Sequence, residues 1–104
     1  MADIFVTYDL EITNLDPHSA FLDQAEKQGW SRWKWGPSNR KWLRLPNTTL
    51  IGEFNNTAAA MAAFDRALAA TAAEIGIDVN VKKYFLAAFW GAAYSSDDLA
   101  KRVP

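Results

Sequence analysis

The sequence predicts an α+β domain in which two helices share one face of an antiparallel sheet. Three observations carry this. DIFVTYDL opens the chain with strict alternation, an alanine-rich helix occupies NNTAAAMAAFDRALAATAAEIG, and the elements follow the order strand, helix, strand pair, helix, strand.

In the first strand Ile4, Val6, Tyr8 and Leu10 point one way and Phe5, Thr7 and Asp9 the other. EITNLD then reads as a polar loop. Asp16-Pro17 signals a helix start, Asp16 as cap and Pro17 at the first helical position, where its missing N–H is harmless. The helix runs to about Gln28 with Phe21, Leu22 and Ala25 inward, and Gly29 supplies a left-handed stop. WSRWKW and RKWLRL flank GPSN, so a hairpin is expected there, followed by a break or bulge at Pro46-Asn47. TTLIGEF is a strand, and Gly52 inside it signals a bulge or a close backbone approach.

Asn56 or Thr57 is placed to cap the long helix and Gly76 to end it, with Ala60, Met61, Phe64, Leu68, Thr71 and Ala72 on its buried face. IDVNVKKYFLAAF reads as a last strand alternating at Ile77, Val79 and Val81. WGAAYSSDDLAKRVP has no settled period and is expected to be a short helix from Ser96, an arm or a tail. Two helices that cannot bury themselves, placed between strands in this order, give the ferredoxin-like βαββαβ arrangement with an extra hairpin in the middle. The expected domain covers residues 1–89, and residues 90–104 form its C-terminal arm or tail.

Composition narrows the chemistry. A chain of 104 residues, half of them apolar or aromatic, is long enough for one core. With no cysteine there is neither a disulfide nor a thiolate site, and one histidine, His18, does not build an imidazole zinc site. The N-terminus lacks a basic region or cleavage site, and no apolar run reaches membrane-spanning length, so a soluble cytoplasmic protein is expected. Net charge is −1 but unevenly spread: Lys27 to Gly52 holds six basic residues and no acid (+6), against five basic and twelve acidic residues elsewhere (−7). Such polarity points to a local basic surface or to head-to-tail contact between copies.

The segments IFVTYDL, LPNTTLIGEF and VNVKKYFLAAF, in this element order over residues 3 to 89, resemble a group of small ferredoxin-like dimers. The group comprises the small CRISPR adaptation endonuclease, virulence-associated protein D and the endoribonuclease antitoxin of type V toxin-antitoxin pairs. The likeness concentrates in TYDL. It implies a homodimer that engages RNA or DNA, with Asp9 of each chain holding magnesium for phosphodiester hydrolysis; two carboxylates plus substrate phosphate suit that hard cation. Glu11 is the one near helper, and Thr48 or Thr49 matches the small polar residue after the group's second strand. The tryptophan-rich hairpin departs from the group.

Each candidate also has a plainer reading. Asp9 equally suits backbone hydrogen bonding after a strand. Arg32, Lys34, Arg40, Lys41 and Arg44 with Trp30, Trp33, Trp35 and Trp42 make a basic-aromatic stretch suited to single-stranded nucleic acid. Strand parity divides it: Trp33 and Trp35 lie opposite Arg32 and Lys34, which assigns those two rings to the core or to an interface between copies. Arg40, Trp42 and Arg44 share a face and form the expected contact triad, with Arg32 and Lys34 as further phosphate contacts. His18 is expected to be exposed, and Lys82 and Lys83 to extend the solvated or basic surface. The favoured function is a nucleic-acid-engaging protein of toxin-antitoxin or CRISPR-adaptation type, a magnesium-dependent endoribonuclease in its enzymatic form. The alternatives are a non-enzymatic protein-protein module built on the hairpin, or a small-molecule-binding dimer with tryptophans lining a pocket under the sheet.

Overall fold

The computed structural model describes residues 1–12, 15–38 and 40–101. Thr13 and Asn14 of the expected polar loop, Asn39 of the hairpin turn and residues 102–104 of the tail lie outside the described residues. The elements are β1 (Ala2–Leu10), α1 (His18–Lys27), β2 (Trp33–Gly36), β3 (Lys41–Arg44), β4 (Thr49–Phe54), α2 (Thr57–Ile75), β5 (Val81–Phe89) and β6 (Leu99–Ala100). The α+β class is therefore observed, with two helices and two small antiparallel sheets.

The first sheet has the order β4-β1-β5, with β1 antiparallel to both neighbours. Its helix-facing side comes from the alternation in β1: Ile4, Val6, Tyr8 and Leu10 are all buried. Against them pack Phe21 and Ala25 of α1 and Ala60, Ala63, Phe64 and Ala67 of α2. Alanine at three- and four-residue spacing lets α2 approach closely, so its buried stripe is centred on Ala63 and Ala67, while Met61, Leu68 and Ala72 lie at its margins. Tyr8, Phe21 and Phe64 meet edge-on, with ring centroids 5.1 to 5.7 Å apart. Thr71, buried on the same helix, is satisfied because its hydroxyl donates to the Ala67 carbonyl at 2.7 Å.

Local signals account for the helix ends. Pro17 takes helical backbone angles ahead of α1, and Asp16 Oδ1 accepts the His18 backbone N–H at 3.0 Å. Asn56 caps α2 by accepting from the Ala59 N–H at 2.8 Å, and Gly76 ends it at φ 76°.

Three expectations are corrected. The hairpin is not an insert in one sheet: β2 and β3 form a second sheet with β6, in the order β2-β3-β6. The last long strand begins at Val81 rather than Ile77, because β1 ends at Leu10, whose partner is Val81, and among the described residues the ladder ends at the Glu11 N–H to Asn80 carbonyl bond. Of the three readings of the tail, a helix from Ser96 does not form among the described residues; the chain returns instead as an arm, with Leu99 and Ala100 paired to Leu43 and Trp42.

A backbone bridge ties the start of the hairpin to the first sheet. After α1, Gly29 turns at φ 99°, Trp30 enters the core at 2% exposure, and Ser31 exchanges both backbone bonds with Ile51 at 2.7 and 2.9 Å. A Cβ on Gly52 would lie 2.7 Å from the Gly29 carbonyl oxygen and 2.6 Å from the Phe54 ring, so the close approach signalled by that glycine is present. Trp30 then packs on Phe54 at 4.7 Å.

Two outcomes follow from this packing. Gly52→Ala is expected to destabilise the fold by about 1–3 kcal/mol in urea unfolding, because the Gly29 backbone carbonyl as well as the packed Phe54 ring blocks the added methyl. Burial pushes the Tyr8 phenol up to about 12, with Arg44 and then Arg32 pulling it back. A raised value in the folded state means stability that is full below pH 10 and is lost as pH climbs through 12. Unfolding midpoints measured between pH 9 and 12 should fall by on the order of 2 kcal/mol more for the wild type than for Tyr8→Phe.

Candidate functional site

The hairpin carries most of the sequence-predicted site, and its register rearranges that site. Trp33 lies opposite Arg44, Lys34 opposite Leu43, Trp35 opposite Trp42 and Gly36 opposite Lys41. Directly opposed residues share a face, so Trp33, Trp35, Trp42 and Arg44 stand together while Lys34 and Leu43 occupy the other side. The parity argument had separated Trp33 and Trp35 from Trp42 and Arg44. Parity orders residues within a strand, whereas the turn decides which face of one strand meets which face of the next.

The ring centroids of Trp35 and Trp42 are 5.3 Å apart, and Trp35 is 38% exposed. Arg40 is not part of a regular strand: it is exposed in the turn at φ 54°, with its N–H bonded to the Gly36 carbonyl at 2.8 Å. A side chain in this left-handed region is held there by the turn, and its charge projects at the hairpin tip. Trp30 leaves the expected stacking set altogether, since it is buried in the core.

Other cations are partly engaged. Arg32 Nε lies 3.2 Å from Glu26 Oε1 on α1, and Arg44 Nη1 donates to the Arg32 carbonyl at 3.4 Å. Lys34 Nζ donates to the Trp35 carbonyl at 3.2 Å and stands 4.8 Å from the centre of the Tyr94 ring.

Beside the hairpin lies a recess of 510 Å³, within the usual range for small-ligand sites. The hairpin lines it with Trp33, Trp35 and Trp42, the chain after β5 with Trp90 and Tyr94, and the first sheet with Asp3 and Glu53. Asp3 and Glu53 are cross-strand partners, two like charges side by side. Among the described residues neither has a cationic side chain within salt-bridge distance. Trp33 lines the recess, while its indole N–H is buried away from solvent with no partner among the described residues. Asp3, Glu53, Trp90 and Tyr94 escape sequence reading because only strand pairing and the return of the tail bring them to the hairpin.

A second groove, of 340 Å³, is lined by Tyr8, Asp16, His18, Arg44, Thr48 and Thr49 among others. His18 Nδ1 is 2.6 Å from Asp16 Oδ1, and bonds from the His18 backbone and ring hold the Asp16 carboxyl below its ordinary range. The Asp-Pro-His spacing contains this pair, as a capping acid reaching two residues ahead. Thr48 takes φ 59°, uncommon for a β-branched residue, and its carbonyl accepts from the Tyr8 N–H at 3.0 Å.

Asp9 is exposed on the helix-free side of the first sheet, opposite Lys83 of β5. Glu11 follows the end of β1, and Lys82 is exposed beside Lys83. Among the described residues no three His, Cys, Asp or Glu side chains group to hold a metal.

The helix-free side also carries an aromatic strip. Phe5 stacks on Phe85 at 6.1 Å and meets Phe89 at 6.0 Å, and Phe85 is 63% exposed. Among the described residues no helix is long and apolar enough to cross a membrane. No protein-family model, curated protein or solved structure matches the chain significantly.

Proposed function

We propose that this chain is a ferredoxin-like βαββαβ domain that works as a homodimer and engages single-stranded RNA or DNA through its hairpin. The observation that carries the reading is the shared face of Trp33, Trp35, Trp42 and Arg44. Rings stack on the faces of unpaired bases, and an adjacent guanidinium serves the phosphates between them. Arg40 at the tip and Lys34 on the rim extend the cationic path. The strand order β5-β1-β4, with Ser31 bridged to the outer side of β4 and two helices on one face, supports the ferredoxin-like topology with its fourth strand reduced to one bridge.

The strip of exposed Phe85 with half-buried Phe5 and Phe89 supports pairing of copies through the helix-free side, the side that also carries Asp9. A toxin-antitoxin or CRISPR-adaptation role, with magnesium-dependent cleavage, requires that pairing to bring two Asp9 carboxylates together, since one chain supplies a single acid beside Lys83.

Labelled single-stranded RNA should be retained at low salt and released steeply as salt rises, and Trp42→Ala or Arg44→Ala should weaken retention about tenfold. Absence of binding to both RNA and DNA at low salt removes the reading. If the nuclease activity is present, cleavage in magnesium should vanish in Asp9→Asn, and Phe85→Asp should abolish it while halving the mass seen by light scattering. Cleavage that survives both changes points away from Asp9 and from pairing through this side.

A further inference from the structure

We propose that the recess beside the hairpin takes one unstacked base of the bound strand and selects guanine. This rests on the nucleic-acid reading and assigns its specificity. The aromatic lining, Trp35 and Trp42 in contact at 5.3 Å with Trp90 and Tyr94 across the recess lining, gives stacking surface to any base and therefore affinity without identity. Identity has to come from polar groups.

Those groups form an unusual set. Asp3 and Glu53, both exposed, are ionised acceptors held opposite each other on neighbouring strands, an arrangement that opposes folding. Phosphate is repelled by this pair, so within a bound strand the pair must face the base. Two acceptors select a base edge with two adjacent donors.

Guanine alone among the four bases presents an acceptor, O6, next to two donors, N1–H and the N2 amino group. Cytosine and adenine offer an amino group beside ring acceptors, and uracil places a single donor between two acceptors. The carboxylates therefore accept from N1–H and N2–H in a charge-assisted pair that no other base offers side by side. Lys34, its ammonium over the Tyr94 ring at the same recess, neutralises the neighbouring phosphate.

The test uses fluorescence anisotropy at low salt with four labelled RNA dodecamers: oligouridine, and the same strand with one central guanosine, adenosine or cytidine. The guanosine strand is expected to bind about tenfold or more tightly than the others, and replacing guanosine by inosine, which lacks the N2 amino group, should remove most of that gain. Asp3→Asn and Glu53→Gln should erase the preference while leaving oligouridine binding and the unfolding midpoint intact or improved. Equal binding of all four strands overturns the guanine assignment and leaves the hairpin reading standing. Preference that survives both acid substitutions also overturns the assignment. Failure of every strand to bind overturns both, and if arginine or tetramethylammonium rather than guanosine monophosphate quenches the tryptophan fluorescence, the recess is a cation site.

Discussion

The passage of the Gly29 carbonyl over Gly52 is the constraint on which the rest of the molecule depends. Without a side chain at residue 52, the chain leaving α1 reaches the edge of β4, drops Trp30 against Phe54 and Phe64, and bonds once through Ser31 to Ile51. That single bridge closes the edge of the first sheet. It also releases the chain at Arg32, free to leave the sheet plane as a hairpin. At this crossing a tryptophan anchors the chain on the core side and a bridged serine on the hairpin side.

Charge follows the same division. The segment from Lys27 to Gly52 is entirely basic in its titrating side chains, yet its cations do not form a uniform field. Arg32 is turned back to Glu26 on α1, and Arg44 hydrogen-bonds the Arg32 carbonyl at the base of the hairpin, while Arg40 is carried to the exposed tip. Acid returns from the first sheet as Asp3 and Glu53 beside the tryptophans. The recess is therefore mixed in charge and aromatic in lining.

Elements with their own local code were legible. The alternation of β1, the capped and alanine-rich α2, the hairpin around Gly36-Pro37 and the close approach at Gly52 each follow from residues within a few positions of one another. What escaped depends on partners distant in the chain. Trp30 looked like a member of the basic-aromatic stretch because it sits among its cations in sequence, but the bend between it and β2 breaks the period and it turns inward. Val79 alternated convincingly with Val81, yet a strand needs a neighbour and β1 offers none beyond Leu10. A two-residue strand such as β6 carries no periodic signal at all. The candidate site was half visible for the same reason: its rings and cations lie in one stretch, while its acids and Trp90 arrive through pairing.

Both sheets are closed by elements late in chain order. β1 forms the centre of the first sheet, but its second neighbour, β5, begins some 70 residues after β1 ends. The edge of β3 is covered only when β6 arrives. During synthesis the opening strand and the tryptophan hairpin therefore both wait with bare edges, and the helices have only part of a sheet to cover. Long-range closure of this kind slows folding and lengthens exposure of unpaired strands. The lysines and arginines of the hairpin then have a use before any ligand is met: mutual repulsion keeps the unfinished edge of one nascent chain from adding to another.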